Sequence, residues 1–287
     1  MYERKVALPG SERNPLPGAR RIGDADAAQE ITVTVYVRPN PNASRAISPE
    51  EYALALPGQR KAYSDEEISA MYGASPADIA AVAEYGRSQG LTVVSSSSAQ
   101  RNVLLRGKIA DISRAFNVNL GMWEHSQGKY RGRTGAISVP TELSSIITSV
   151  FGLDNRRTGR SYRRTPSATE ALFSHANLHG YLPTDVARAY HFPTQADGTG
   201  ECIAILAFNG ATMDIGGNSP GGYKLDVLNN YFTNTVRVNP PTIQDVVVHG
   251  PGNVPGDMTS QDDSTGEILL DLQVAGSIAP GAKIVVY

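Results

Sequence analysis

The chain has 287 residues, with 26 Lys and Arg against 28 Asp and Glu and a 40% hydrophobic share. That length allows about two domains of ordinary size, and the near-neutral charge with a normal apolar content excludes a wholly disordered chain. No apolar run approaches the ~18 residues of a membrane span, and a single cysteine, Cys202, excludes an internal disulfide framework or a Cys-rich zinc site.

Residues 1–29 are rich in Pro, Gly and charge without periodicity, and read as a disordered N-terminal arm with no apolar signal-peptide core. Ile31 to Val37 alternates with period two and predicts a strand. Asp65-Glu66-Glu67-Ile68 reads as a helix opening. Ser75-Pro76-Ala77-Asp78 is a stronger one, with Ser as N-cap, Pro in the first helical position and an acid in the capping-box position. This helix carries Ile79, Val82, Ala83 and Tyr85 on one side and is expected to stop near Gly90.

Leu91 to Val94 and Asn102 to Arg106 predict two antiparallel strands, and Ile109, Ile112, Ala115 and Phe116 form a helical stripe. Val118 to Trp123 with Tyr130 to Gly132 reads as a closing hairpin. The order strand, helix, strand, strand, helix, strand is that of a ferredoxin-like α+β domain, expected over residues 30–154. Residues 155–179 follow as a linker: Asn155 to Arg164 holds five Arg and no core. No stacking platform or recognition helix accompanies these arginines, so nucleic acid is not an expected partner, and neither is a membrane. A protease-accessible processing segment is the favoured interpretation.

From residue 180 the pattern becomes α/β. Tyr181 to Tyr190 predicts a short helix, and Cys202 to Phe208 a near-continuous apolar strand buried on both faces of a parallel sheet, with Cys202 a small buried hydrophobe. Leu225 to Phe232 and Glu267 to Ser277 predict helices, and Thr242 to Val248 and Lys283 to Tyr287 strands. Residues 180–287 thus predict a doubly wound parallel sheet. Charge divides with the domains: residues 1–169 hold 22 basic and 16 acidic side chains, net +6, and the rest 4 and 12, net −8. Opposite signs favour attraction between the halves, weakening as carboxylates protonate.

The Gly-rich stretch from Asn209 to Gly222 has neither a dinucleotide fingerprint nor a P-loop. His175 and His179 are four apart but lack the intervening glutamate of a zinc helix. Glu267 and Asp271 carry more. Spaced i and i+4, they share one helix face in apolar surroundings, where two carboxylates repel unless they share a proton or serve a site. The alternative is structural: Ser264-x-x-Glu267 matches a capping box. Spacing alone leaves both open.

The run from Gly266 to Tyr287, including Glu267-x-x-x-Asp271 and Ala279-Pro280-Gly281-Ala282, resembles the sedolisin (serine-carboxyl peptidase) family, especially its kumamolisin branch. Tyr181 to Pro193 and Gly198 to Leu206 are similar to the start of that family's mature enzyme, and the upstream domain to its activation propeptide. The resemblance implies a secreted, acid-acting endopeptidase precursor on a subtilisin-like fold. Protein or peptide substrates and an intramolecular contact between propeptide and enzyme follow from it. In its Ser-Glu-Asp triad, Glu267 is implied as general base and Asp271 as the residue orienting it. The family's nucleophilic Ser, oxyanion-hole Asp and calcium ligands lie C-terminal to the matched region, and no serine here matches their motif. The chain alone is therefore expected to be inactive and to hold no calcium. A propeptide-based inhibitory protein with a catalytically inactive peptidase region is the alternative.

Overall fold

The computed structural model describes residues 4–43, 48–54, 61, 63–126, 128–156, 181–193, 195–208, 220–248, 252–257 and 264–287. The arginine-rich segment beyond Arg156, His175, His179, His249 and most of the Gly-rich stretch lie outside them. The protein is a mixed α/β chain with several sheets, divided into two compact units near residue 156.

Unit 1 opens with β1 (Lys5–Ala7), β2 (Arg20–Asp24) and β3 (Glu30–Val37), then α1 (Pro49–Leu54), α2 (Asp65–Tyr72) and α3 (Pro76–Ser88). After these come β4 (Thr92–Ser97), β5 (Asn102–Lys108), α4 (Ile109–Phe116), β6 (Gly121–His125), β7 (Gly128–Gly132), β8 (Ser138–Pro140) and β9 (Ile147–Phe151). The main sheet is antiparallel in the order β4-β5-β3-β9. The period-two pattern of β3 buries Val33, Val35 and Val37 together with Val103 and Leu105 of β5. Val82 and Tyr85 of α3 and Ile112 and Phe116 of α4 join the same core. Each such side chain contributes about 1.5–3 kcal/mol when fully buried. Gly86 lets α3 approach this core closely, since a Cβ there would stand 2.5 Å from Leu105.

Two expectations are corrected here. The fourth strand of the main sheet is β9, not the hairpin: β6 and β7 pair with each other but join β2 in a separate sheet of order β2-β6-β7. Residues 4–29 are not a disordered arm. β1 pairs with β8, β2 with β6, and Leu8 and Ala25 are buried in the core. Lys5 Nζ also donates to the carbonyls of Arg114 and Ala115 at the end of α4. All these partners lie about a hundred residues away, so no local periodicity announces them. The Ser75 N-cap forms, its hydroxyl accepting from Ala77 N at 3.3 Å, while Asp78 pairs with Arg38 at 2.9 Å instead of closing a capping box.

Unit 2 contains α5 (Pro183–Ala189), β10 (Cys202–Ile205), α6 (Leu225–Asn230), β11 (Thr242–Asp245), α7 (Thr265–Ile278) and β12 (Lys283–Val286). The three strands are parallel in the order β10-β12-β11, placing the last strand in the middle. Leu228, Phe232, Leu272 and Ile284 are fully buried between sheet and helices. Cys202 is exposed, contrary to expectation: among the described residues β10 is an edge strand, so its outer positions meet no neighbour.

Candidate active-site helix

The start of α7 is tied to two loops. Ser264 N donates to Pro220 O at 3.0 Å, and Thr265 Oγ1 accepts from Gly256 N at 2.8 Å. Thr265, Ile268, Leu272, Gly276 and Ser277 form the buried stripe. Gly276 is needed for close packing: a Cβ there would stand 2.6 Å from Phe232 and 2.8 Å from Pro241. The opposite face carries Glu267, Leu270, Asp271 and Val274, all exposed, with Leu270 at 59% and Val274 at 44%. The burial that the apolar surroundings of Glu267 and Asp271 implied is therefore not observed on this face. Its composition is apolar enough for burial, but the buried contacts run along the other side.

Glu267 and Asp271 stand one turn apart on the exposed face. Partial burial, and then the charge of Glu267, raise the Asp271 carboxyl above the ordinary aspartate value. The capping alternative for Glu267 is not used. Ser264 has φ −79° and ψ −1°, its hydroxyl makes no cap bond, and its amide is occupied by Pro220. Glu267 is thus free of the helix-end role that the same sequence pattern performs at Ser64.

The Ala279-Pro280-Gly281-Ala282 segment has a packing role. Gly281 N donates to Asp197 O at 2.8 Å, and Gly198, at φ +81°, brings its backbone against Ala279 and Ala282. Hydrogen bonds from Thr199 hold the Asp197 carboxyl below its usual range.

Sequence inspection missed a second polar group. At the carboxyl ends of the parallel strands, where open α/β sheets bind ligands, a recess of about 260 Å³ is lined by Leu206, Phe208, Tyr223, Val247, Ile268 and Tyr287 among others. Tyr223 donates its hydroxyl to Asp245 Oδ1 at 2.7 Å, and burial followed by that bond raises the phenol. Asn253 clamps the Tyr223 backbone, accepting from its N at 2.8 Å and donating to its O at 3.2 Å. Gly221-Gly222-Tyr223 was the available signal: Gly222 has φ +153°, and a Cβ there would collide with Asn253. Among the described residues no three His, Cys, Asp or Glu side chains come together in a group that could hold a metal ion. Nor is any described helix long and apolar enough to cross a membrane.

Residues 17–156 match the family model of the pro-kumamolisin activation domain. That match starts inside the segment expected as an arm, just before β2. The chain is 35% identical over 290 residues to kumamolisin from Bacillus sp. (strain MN-32), an alignment covering 99% of this chain and 50% of the relative. It is 28% identical over 302 residues to tripeptidyl-peptidase sed5 of Aspergillus fumigatus, covering 98% and 49%. The chain spans about half the length of these curated relatives. With an activation-domain match over residues 17–156 and both alignments running on through the Glu267 helix, the chain is similar to the kumamolisin-like sedolisins from its activation domain onward.

Proposed function

We propose that the chain is the activation domain and the opening part of the peptidase domain of an acid-acting serine-carboxyl endopeptidase precursor. Glu267 is its general base and Asp271 the positioning residue. The observation that carries this is the pairing of two carboxylates on one exposed face of α7, with Asp271 drawn toward its protonated form. The unused capping bond at Ser264 leaves Glu267 available for the role.

Two carboxylates one turn apart are most stable when they share one proton. Asp271, whose carboxyl is raised by partial burial and then by the charge of Glu267, is the member assigned the proton, and Glu267 is assigned the base. Glu267 then takes the proton of the attacking serine hydroxyl of the family's triad and returns it to the leaving amine. A histidine in its place would be charged throughout the acid range and unable to accept a proton. The linkage has a definite sign. Folding favours protonated Asp271, so its stabilising contribution is present at low pH and is lost as pH rises from the ordinary aspartate value through the raised one.

The architecture supports the same proposal. Strand order β4-β5-β3-β9 with α3 and α4 against the same core fits a ferredoxin-like activation domain, and β10-β12-β11 with its crossover helices fits the first part of a subtilisin-like sheet. Protein or peptide substrates and secretion belong to this proposal through the family. The test is peptide hydrolysis by the precursor carrying this chain, assayed from pH 3 to pH 7. Activity confined to the acid side is expected, and an optimum at neutral pH would contradict a carboxylate base.

A further inference from the structure

The first turn of α7 carries Glu267, yet the turn is not fixed by a cap of its own. The hydroxyl of Ser264, the residue before the helix, makes no cap bond. Tertiary contacts from two short stretches, 220–223 and 253–256, hold this end instead, and the two stretches are joined to each other. Gly221 N donates to Val254 O at 2.8 Å and Val254 N to Gly221 O at 3.0 Å, an isolated antiparallel bridge. The two bonds between Asn253 and the Tyr223 backbone extend it. Only a glycine fits at 222, where a Cβ would stand 2.1 Å from Asn253 Oδ1 and 2.9 Å from Val254 N.

This pair of stretches is anchored at one end and holds the helix at the other. The anchor is Tyr223, 6% exposed, whose hydroxyl bonds Asp245, the last residue of β11. Just beyond it, Val246 N donates to Val286 O of the central strand at 2.8 Å. At the other end, Pro220 O accepts from Ser264 N at 3.0 Å and Gly256 N donates to Thr265 Oγ1 at 2.8 Å. The first of these is a backbone bond that most residues at 264 would make. The second depends on the side chain. Thr265 is 3% exposed and begins the buried stripe, a place where valine would supply the same shape and the same apolar contact. What the hydroxyl adds is the bond to Gly256 N.

The consequence for chemistry follows from distance. A general base works within about 2.6–3.2 Å of the proton it takes, and a misplacement of about 1 Å can cost on the order of a hundredfold in rate. Glu267 lies two residues beyond Thr265, so a shift of the helix start carries its carboxylate along.

We propose that Thr265 is a positioning residue for Glu267: its hydroxyl ties the first turn of α7 through the two joined stretches to the end of β11. It acts through Glu267, and the inference therefore rests on the assignment of Glu267 as the base.

The test is steady-state peptide hydrolysis at acid pH by the precursor carrying Thr265→Val, Thr265→Ser or Glu267→Gln, with thermal unfolding of each variant measured beside it. Valine keeps the shape and loses the hydroxyl; serine keeps the hydroxyl and loses a buried methyl group, which lowers stability. A role in positioning therefore separates rate from stability. Thr265→Val is expected to lower kcat about 10–100-fold with KM within about threefold of the parent, and Thr265→Ser to keep kcat within about threefold even where it unfolds at lower temperature. Amide exchange at Gly256 is expected to speed about fivefold in Thr265→Val and to stay near the parent in Thr265→Ser. A parent-like kcat in Thr265→Val, or losses of kcat that follow stability in both variants, would overturn the proposal while a large loss in Glu267→Gln left the base in place. Parent-like activity in Glu267→Gln would overturn the base assignment and the positioning role with it. If Thr265→Val does not fold, Tyr223→Phe decides, because it removes the anchoring bond and keeps the ring. A several-fold fall in its kcat at unchanged KM is expected, and an unchanged kcat would overturn the proposal.

Discussion

Ser64 and Ser264 stand in the same local pattern, Ser-x-x-Glu, and behave differently. Ser64 is extended, with ψ 163°, so its hydroxyl accepts from Glu67 N at 3.2 Å and Glu67 Oε2 accepts from Ser64 N at 2.9 Å. Ser264 has ψ −1° and an amide already bonded to Pro220. The sequence signature is identical, and a tertiary contact decides which Glu becomes a cap. This is why the pattern at Glu267 could not be resolved by spacing, whereas the i, i+4 placement of Glu267 and Asp271 on one face was legible. Ser64→Ala is expected to speed amide exchange across α2 about fivefold, the equivalent of the ~1 kcal/mol of a lost N-cap. Ser264→Ala is expected to leave α7 within about twofold of the parent, since no cap bond is lost.

Elements with strong internal periodicity were legible: β3, α3, α4 and the β4–β5 pair follow from alternation or helical stripes. Elements defined by distant partners were not. β9 has just two buried residues, Ile147 and Val150, and owes its place to pairing with β3. At its exit Gly152 adopts φ +92° with its missing Cβ 2.6 Å from Thr32 O and 3.2 Å from Val33 Cα, both backbone atoms that cannot move aside. Gly152→Ala is therefore expected to destabilise unit 1 by about 1–3 kcal/mol, read as a lower urea midpoint of Trp123 fluorescence. An unchanged midpoint would show that β9 is not anchored through this close approach. In unit 2, Cys202 shows the opposite error. Its apolar neighbours implied burial on both faces, but an edge position leaves it exposed.

At the scale of the whole molecule, the charge division between residues 1–169 and the rest coincides closely with the division into two units. A net +6 activation domain and a net −8 peptidase part would attract most strongly at neutral pH and least in acid. The proposed function turns on one statement, that Glu267 is the base of an acid peptidase. The most direct measurement is kcat/KM for peptide hydrolysis at acid pH by the precursor carrying Glu267→Gln, with folding checked in parallel. A loss on the order of a thousandfold or more with an intact fold is expected. Activity within a few-fold of the parent would contradict the assignment and return Glu267 to the surface of an ordinary helix.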